Sequence, residues 1–470
     1  MLKNLRSILH KSVLIYLILA IFIIQGCDSK STAPAWNRVV PEILQQIVPP
    51  TFPDKDYNII EYGAVGDGKT LNTEAFENAI DACHNAGGGR VVVPAGEFLT
   101  GAIHMKSNVN LHVEESAVIL FSRDLKDYLP VVYTRFEGVE FMNYSPFIYA
   151  FEQENLAITG KGTLDGQADN TVWWPWVGKE HYGWKEGDPI QTTDRDNLFQ
   201  MGEDNVPVEE RIFGDGHYMR VNFIQPYRCK NILIEDVTLK RSPMWEVHPV
   251  LCENITVRNI TVISHGPNND GCNPESSKNV LIENCYFDTG DDCIAIKSGR
   301  NNDGRRVNVP SENIVIRNCK MKDGHGGVVI GSECSGNVRN VFAENCEMDS
   351  PNLDRALRIK TNSIRGGVIE NIFMRDVQVG EVREAVVKIN YFYAKGEKGD
   401  FIPVVRNVHV ENVTSEKSKY GLLMRGFENS PIQNVSIVNC SFNGVDKGNL
   451  LENVTDLKLK KLYINGELVK

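Results

Sequence analysis

A seven-residue pattern that recurs along the second half of the chain constrains its fold more than any other feature. Each copy reads asparagine, apolar, any, apolar, any, asparagine or aspartate, then a small apolar residue or cysteine. Apolar residues at every second position indicate a β-strand with one buried face. The copies begin at Asn231, Asn254, Asn279, Asn313, Asn340, Asn371, Asn407 and Asn434.

The spacing of the copies favours one architecture. Successive copies start 23 to 36 residues apart, and self-similarity at such a period indicates a solenoid. Helix-period patterns are missing between the copies, and so is the leucine pattern of a leucine-rich repeat. We therefore predict an all-β parallel β-helix, in which each coil adds short strands and buries its apolar positions on its neighbours.

Two repeat positions have predicted structural roles. The sixth position is expected to stack as a polar side-chain ladder at a turn, through Asp236, Asn259, Asn284, Asn318 and Asn345. The seventh position holds cysteine in four copies, and these thiols are expected to pack in the core: Cys285, Cys319, Cys346 and Cys440.

An amphipathic helix is predicted upstream of the repeats, where it would cover the open end of the solenoid. Asn72 and Thr73 can cap its start. Its apolar stripe consists of Ala75, Phe76, Ala79, Ile80 and Cys83.

The first residues are predicted to be a targeting segment. Basic residues precede a twelve-residue apolar run, 13–24, which is short for a membrane span and typical of a signal peptide. The following "IIQGC" resembles a bacterial lipoprotein cleavage box that would leave Cys27 lipidated. We expect a lipoprotein signal peptide at 1–26, a tether at 27–50 and one catalytic domain at 51–470. The protein would then be exported and lipid-anchored in the cell envelope, in the periplasm or outer membrane. The alternative is a plain signal peptide with an incidental cysteine.

The net charge of the chain restricts the classes of molecule that it can bind. The formal net charge of -11 argues against nucleic acid. An acidic substrate would require cations that are gathered locally.

Four strands that follow repeat copies can be aligned on their ends at Ser276, Ser298, Ser332 and Thr361. Six positions earlier stand Asp270, Asp292, Gly326 and Arg355, and seven positions earlier stand Asn269, Asp291, His325 and Asp354. Arg358 stands three positions before its strand end, and Lys297 and Lys360 stand one position before theirs. Equivalent positions of adjacent coils lie about 4.8 Å apart, so three carboxylates, an imidazole and several cations should converge on one outer patch.

Such crowding has a chemical consequence. Closely spaced carboxylates cannot all ionise easily, so one keeps its proton while its neighbours stay charged. An acid beside a base is what glycosidic cleavage requires. A solvated turn explains one such aspartate pair, but not three aligned turns with Arg and Lys beside them.

At these residues the chain resembles the polygalacturonase family of pectin-degrading glycoside hydrolases, family 28. Four of its motifs occur in order, as "NND" (268–270), "GDD" (290–292), "GHG" (324–326) and "RIK" (358–360), with asparagine in place of the threonine of the first. The resemblance implies a right-handed parallel β-helix of the pectin lyase-like kind. It also implies inverting hydrolysis of α-1,4-galacturonosidic bonds without a cofactor or metal.

The resemblance assigns a role to each motif residue. Asp291 matches the general acid, Asp270 and Asp292 match the pair that activates water, and His325 matches the histidine that tunes the acid. Arg358 and Lys360 match the residues that bind the substrate carboxylate.

Further substrate contacts are expected around these motifs. Lys297, Arg300, Arg305 and Arg306 would join Arg358 and Lys360 in a positive cleft. Tyr391 or Tyr393 is expected beside it, with Tyr391 as the first choice, and His248 is expected to face the same groove. A tryptophan-rich segment, 166–217, would wall off one end of the cleft and make the enzyme exo-acting, a galacturonan 1,4-alpha-galacturonidase; its tryptophans could equally pack on the solenoid.

Three alternatives stay open. A rhamnogalacturonan-directed hydrolase would belong to the same family. A calcium-dependent pectate lyase would share the fold but use the carboxylates to bind Ca²⁺. A non-catalytic β-helix adhesin would not need the three aspartates. The expected partner is a galacturonate-containing saccharide, with membrane contact only through the lipid anchor, and we expect a monomer.

Overall fold

A computed structural model describes residues 35–469. Cys27 and the predicted signal peptide lie outside these residues. The chain divides into a short unit that ends at Glu42 and a large unit that begins at Ile43. The first unit holds a π-helical turn, Ala35–Val39, and helix α1, Val40–Gln46, begins in it. Both lie in the range predicted as a tether. Among the described residues, no helix is long and apolar enough to cross a membrane.

The large unit is a stack of coils built from three parallel ladders of strands. The first ladder holds the heptapeptide copies, and each strand pairs in parallel with the equivalent strand of the coils before and after it. Its strands are Asp56–Asn58, Gly89–Val93, Val109–Val113, Glu154–Thr159, Lys230–Glu235, Glu253–Arg258, Lys278–Glu283, Ser311–Arg317, Val338–Glu344, Val368–Arg375, Val404–Glu411, Ile432–Phe442 and Lys458–Ile464.

The second ladder follows the first after one sharp turn in each coil. Its strands are Asp67–Leu71, Gly96–Thr100, Ala117–Phe121, Thr163–Asp165, Thr238–Lys240, Thr261–Ser264, Tyr286–Thr289, Lys320–Met321, Glu347–Met348, Gln378–Glu381 and Thr414–Lys417. The last of them pairs with the end of Ile432–Phe442.

The third ladder lies on the remaining side of the coils and carries the functional residues. Its strands are Ile103–His104, Ile148–Phe151, Ile224–Tyr227, Ile294–Ile296, Val328–Ile330, Arg355–Lys360, Ala385–Asn390, Tyr420–Arg425 and Leu450–Glu452. Between the third and fourth of these strands, isolated parallel bridges at Val247 and Cys272 continue the ladder. The parallel β-helix is therefore confirmed.

One continuous core fills the stack, because the inward residues of all three ladders contact those of neighbouring coils. The predicted upstream helix is present as α2, Thr73–Asn85, and its predicted apolar stripe is buried in this core beside the first strands. Asn72 precedes it without a capping bond, since its side chain instead accepts from Val65 N and donates to Leu99 O. Ten cysteines of the described part are free and buried, as expected for packing residues.

The polar ladder exists, but it lies mainly at the first position of the heptapeptide. From Asn434 back to Asn108, each asparagine amide donates to the asparagine one coil earlier, at 2.8–3.2 Å. The predicted sixth position makes such bonds from Asn259 to Asp236 and again near the end of the stack. Both positions have left-handed backbone conformations, which asparagine tolerates better than most residues.

Several elements project from the stack. Strands Val132–Phe136 and Val139–Asn143 form an antiparallel hairpin, the 132–143 hairpin, and Tyr463–Ile464 pairs with Glu467–Leu468. Two helices accompany the hairpin: α3, Thr192–Glu203, and α4, Asn301–Val307. Single 3-10 turns occur at Ile59–Tyr62, Leu125–Tyr128, Trp174–Val177, Glu180–Tyr182 and Val208–Glu210.

Candidate active site

The third ladder brings the aligned positions together in the predicted register. Cys272 bridges to Ile294, which pairs with Val328, so the residues two positions earlier lie side by side: Asp270, Asp292 and Gly326. In the other row, Val329 pairs with Arg358. The motifs of four coils therefore meet at one edge of the ladder, where its strands begin.

The three aspartates form a compact group. Each contributes a carboxylate oxygen to a set that lies within 4.8 Å of one another. The side chains of Asp270 and Asp292 are 3% and 1% exposed, whereas that of Asp291 is 17% exposed. Asp291 is thus the carboxyl that a ligand can reach most directly.

Asp292 is held ionised by two cations from a later coil. Lys360 Nζ lies 2.7 Å from Asp292 Oδ2, and Arg358 Nη1 lies 3.2 Å from Asp292 Oδ1. Burial would raise the pKa of Asp292, but these two charges hold that pKa well below its usual range. Asp292 therefore carries a negative charge in the free site.

Asp270 has the opposite electrostatics. Burial raises the pKa of Asp270 well above its usual value, and the charge of Asp291 adds to the effect. Asn273 Nδ2 donates to Asp270 Oδ2 at 2.7 Å, and Lys297 Nζ lies 3.6 Å from the same oxygen. Burial and the neighbouring charge of Asp291 therefore favour the protonated form of Asp270.

Asp291 is paired with the predicted histidine. His325 Nδ1 lies 2.9 Å from Asp291 Oδ1, and the backbone N–H of Asp292 donates to the same oxygen. Burial would raise the pKa of Asp291, but the bond to His325 lowers it, and the same bond raises the pKa of His325. The bond to Asp291 therefore favours the protonated form of His325.

These groups line a cavity of about 220 Å³. The predicted residues in its wall are Asp270, Asp291, Asp292, Lys297, His325, Arg358 and Lys360. Further wall residues had no predicted role in the site: Glu137, Trp245, Asn268, Ser332 and Glu333. Of the two candidate tyrosines, Tyr393 lines the cavity, with Arg358 and Lys360 over its ring at 5.8 and 5.4 Å.

The prediction that Tyr391 lines the cleft is wrong. Tyr391 is fully buried in the core, where its hydroxyl accepts a hydrogen bond from Val405 N and its ring meets Phe427 edge-on. The preceding strand explains this, since Asn390 pairs with outward-facing Lys360 and the next residue points inward.

His248 does not face the groove either. It is fully buried, with Nε2 2.8 Å from Glu275 Oε2 and Nδ1 2.9 Å from the amides of Asn222 and Gln225. Burial lowers its pKa. The residue belongs to a polar network beneath Trp245, against whose ring it packs edge-on.

The predicted positive cleft is not what the structure contains. Five carboxyl side chains and three Lys or Arg side chains line the cavity. Arg305 donates to backbone carbonyls of Ile364 and Arg365, and Arg306 pairs with Asp303 and Glu140. Arg300 lies near the wall but pairs with Glu137 and Glu333 and stacks over Phe199. Most of the predicted cations are therefore neutralised by protein carboxylates.

In the tryptophan-rich segment, the side chains of Trp173 and Trp176 follow the packing alternative and not the sugar-stacking one. Trp173 and Trp176 are buried in the core, and Trp174 donates to Ser242 O, so none of them lines the cavity. The segment instead supplies α3, whose Phe199 lies under Arg300 and whose Glu203 accepts from Asn301. It also supplies Tyr182, whose pKa is raised by burial and by the nearby charge of Asp291.

Known proteins place this arrangement in a family. The model of glycosyl hydrolases family 28 matches residues 214–461, more than half of the chain and all four motifs. A second model, described as rhamnogalacturonase A/epimerase, pectate lyase-like, matches residues 57–113.

Relatives with names agree with the first model. A probable polygalacturonase from Vitis vinifera is 30% identical over 81% of this chain and 73% of its own. An exo-poly-alpha-D-galacturonosidase from Dickeya chrysanthemi is 28% identical over 77% of this chain and 63% of its own. The crystal structure of a hyperthermoactive exopolygalacturonase from Thermotoga maritima superposes with a TM-score of 0.90, at 50% identity, over 92% of this chain and 97% of its own. The chain is therefore a member of glycosyl hydrolases family 28.

Proposed function

We propose that this protein is an exo-acting polygalacturonase, which releases single galacturonate residues from the ends of polygalacturonate by hydrolysis. The observation that carries the proposal is the group of three aspartates in a cavity of about 220 Å³. Pockets for drug-sized ligands occupy about 300–1,000 Å³, so this cavity suits one sugar ring. The named relatives with exo activity support the same conclusion.

The site contains both a group that can donate a proton and a group that can accept one, as acid–base hydrolysis requires. Asp291, the most accessible carboxyl, is placed to protonate the leaving glycosidic oxygen, and its proton can come from Asp270 or His325. Asp292 is ionised and can take a proton from the water that attacks the anomeric carbon. The C–O bond breaks as the water oxygen bonds to that carbon, the leaving oxygen gains the proton of Asp291, and Asp292 gains a proton of the water. One proton then returns from Asp292 to Asp291 through solvent to restore the site.

The stereochemical outcome stays a prediction. The resemblance implies inversion, whereas carboxylate oxygens within 4.8 Å lie closer than the about 6.5–9.5 Å typical of inverting enzymes. Proton NMR of the first product anomer distinguishes the two: a β-anomer released from the α-linked chain indicates inversion, and an α-anomer indicates retention.

A lyase is not favoured by the donor set. A cation held by the three aspartates would have to displace Lys360 and Arg358 from Asp292. Activity should therefore survive a chelator, and no unsaturated product should absorb in the ultraviolet. The rhamnogalacturonase-type model covers only an N-terminal part of the chain, and hydrolysis of rhamnogalacturonan but not polygalacturonate would favour that substrate instead.

Product analysis tests the exo mode. Digestion of polygalacturonate should release monogalacturonate from the start while viscosity falls slowly. An early mixture of oligomers with a rapid loss of viscosity would contradict the proposal.

Export with a lipid anchor at Cys27 belongs to the same proposal, and it is supported by the basic, apolar and "IIQGC" segments of the sequence. Cys27→Ser should move the mature protein from the membrane fraction to the soluble fraction with unchanged specific activity. A variant that stays in the membrane fraction would contradict the anchor.

A further inference from the structure

Two carboxylates besides the three aspartates line the cavity, Glu333 and Glu137. His325 and Gly326 precede the strand Val328–Ile330, and Glu333 follows it, so Glu333 lies at the other edge of the third ladder. Glu137 joins it from the tip of the 132–143 hairpin. No motif of the sequence singled out either residue.

Glu333 is ionised but retains capacity to accept hydrogen bonds. Burial would raise its pKa, but Lys297, Arg365 and Arg300 hold that pKa well below its usual range. These three cations lie 3.5, 3.5 and 3.7 Å away, and Ser332 Oγ donates to Oε1 at 2.9 Å. Because a carboxylate offers about four acceptor sites, these long contacts leave room for ligand hydroxyls.

Glu137 is held at the cavity by an unusual backbone. Glu137 and Gly138 form the two-residue turn of the hairpin, with φ of 42° and 85°. Such turns favour glycine, asparagine and aspartate, so a glutamate here is conformationally costly. Arg300 N donates to Gly138 O at 3.1 Å, and a Cβ on Gly138 would lie 2.7 Å from that nitrogen. The turn is thus fixed against the start of α4.

Arg300 links the two carboxylates. Its Nη1 lies 3.3 Å from Glu137 Oε2 and 3.7 Å from Glu333 Oε1, and its guanidinium stacks on Phe199. Since both contacts are to protein carboxylates, Arg300 is occupied as their bridge. It is not placed as the binder of a sugar carboxylate that the sequence suggested.

Arg358 lines the same cavity and carries a positive charge. Arg358 uses Nη1 for Asp292, while its Nε is buried without a hydrogen bond in the described part of the chain. A sugar carboxylate can accept a hydrogen bond from Arg358, but it has no proton to donate to the ionised Glu333 or Glu137. Sugar hydroxyls, in contrast, donate well to carboxylates.

We propose that Glu333 and Glu137 bind the hydroxyl groups of the terminal sugar and thereby turn its carboxylate towards Arg358. This inference rests on the proposed function, because it concerns a terminal uronic acid. It makes the two glutamates specificity-determining residues of the cavity.

Calorimetric binding of monogalacturonate tests the inference, since the monomer is bound but not cleaved. Glu333→Gln should weaken binding about 10–100-fold, as expected for lost hydrogen bonds to a charged acceptor. Glu137→Gln should also weaken the binding of monogalacturonate. It should reduce the ratio of the affinities for galacturonate and for its C4 epimer glucuronate. Glu203→Gln is the matched control, because Glu203 lies in the neighbouring α3 outside the cavity wall, and it should bind like the wild type.

The opposite orientation predicts the opposite sign. If the sugar carboxylate faced the two glutamates, removal of a negative charge would tighten binding, so unchanged or tighter binding in both variants would overturn the inference. If Glu333→Gln does not fold, Glu137→Gln decides, since Glu137 is 20% exposed and makes one ion pair. A wild type that cleaves polygalacturonate while the variants bind normally overturns only the inference. A wild type that neither cleaves it nor binds galacturonate overturns both.

Discussion

Two sides of the same coils use equivalent positions differently. On the first ladder, asparagine recurs in coil after coil, and each copy, such as Asn313, both donates to the previous asparagine and accepts from the next. Where the third ladder begins, equivalent positions hold Asp270, Asp292 and Gly326. The first arrangement is neutral and satisfied, whereas the second is charged and crowded.

The difference separates stability from chemistry. A repeated neutral side chain satisfies its polar groups in its neighbours and leaves few to react. A position that changes from coil to coil can place an acid, a base and a cation within one cavity, at a cost in electrostatic repulsion and burial. Substitutions on the two sides should therefore change different measurable quantities.

The largest effect is expected at Asp291. Asp291→Asn removes the proton donor and should lower kcat by at least about 10²–10⁴-fold, while the free energy of unfolding changes little. Turnover of a defined oligogalacturonate measures the loss. Asp236→Asn is the matched control, because it makes the same chemical change on the ladder side and gives the residue that other copies carry there. Near-normal turnover in folded Asp291→Asn would refute the assignment.

A substitution in the asparagine ladder should lower the free energy of unfolding and leave kcat unchanged. Asn340→Ala removes hydrogen bonds to Asn313 and from Asn371 and places alanine at a φ of 57°. We expect a loss of about 2–4 kcal/mol in unfolding free energy with kcat unchanged. Asn340→Gly loses the same bonds but tolerates the backbone, so it should be the less destabilised variant. Denaturant unfolding measures the stability of both variants. A loss of kcat in a fully folded variant would contradict the separation of stability from chemistry between the two sides.

The smallest effect is expected at His325. Its pKa is raised by Asp291, so its proton persists to higher pH than in an ordinary histidine and is lost as pH rises through the raised pKa. Wild-type kcat/KM should decline on that alkaline limb. In His325→Gln the limb should disappear, and activity should fall about 10–100-fold. His265→Gln is the control, since His265 pairs with Asp288 outside the cavity, and an unaltered profile in His325→Gln would refute the role.

Much of the fold and the centre of the site could be predicted because they follow the repeat. The period-two alternation of apolar residues identified the strands of the first ladder. Alignment of the later strands on their ends predicted that Asp270 lies beside Asp292. The same alignment distinguishes Tyr391 from Tyr393 as the residue that lines the cavity. Asn390 pairs with Lys360, whose side chain points outward, so the next residue, Tyr391, points into the core. The charge state of the aspartates could not be predicted, because burial and the distances of Lys360 and His325 determine which carboxyl holds the proton.

The two glutamates of the cavity were missed for different reasons. Glu137 comes from a hairpin whose position beside Arg300 depends on tertiary packing. Glu333 lies one residue beyond the aligned strand end at Ser332, so a frame extended by one position would have found it. The sequence does not show whether a tryptophan packs in the core or stacks on a sugar, because aromatic side chains do both. In the structure, Trp173 packs against Tyr128 and Phe147.

The asparagine ladder also bears on how such a chain can grow. Each coil offers its neighbours the same donor and the same acceptor, so a duplicated segment such as residues 407–433 would find partners on both sides. Duplication there would lengthen the protein without disturbing the cavity. Insertion of a whole coil between Asp292 and His325 would instead move the histidine one coil spacing, about 4.8 Å, beyond reach of its acid. Added coils should therefore be tolerated beyond Asn407, where none of the cavity residues lies, and not among the coils that share a substrate.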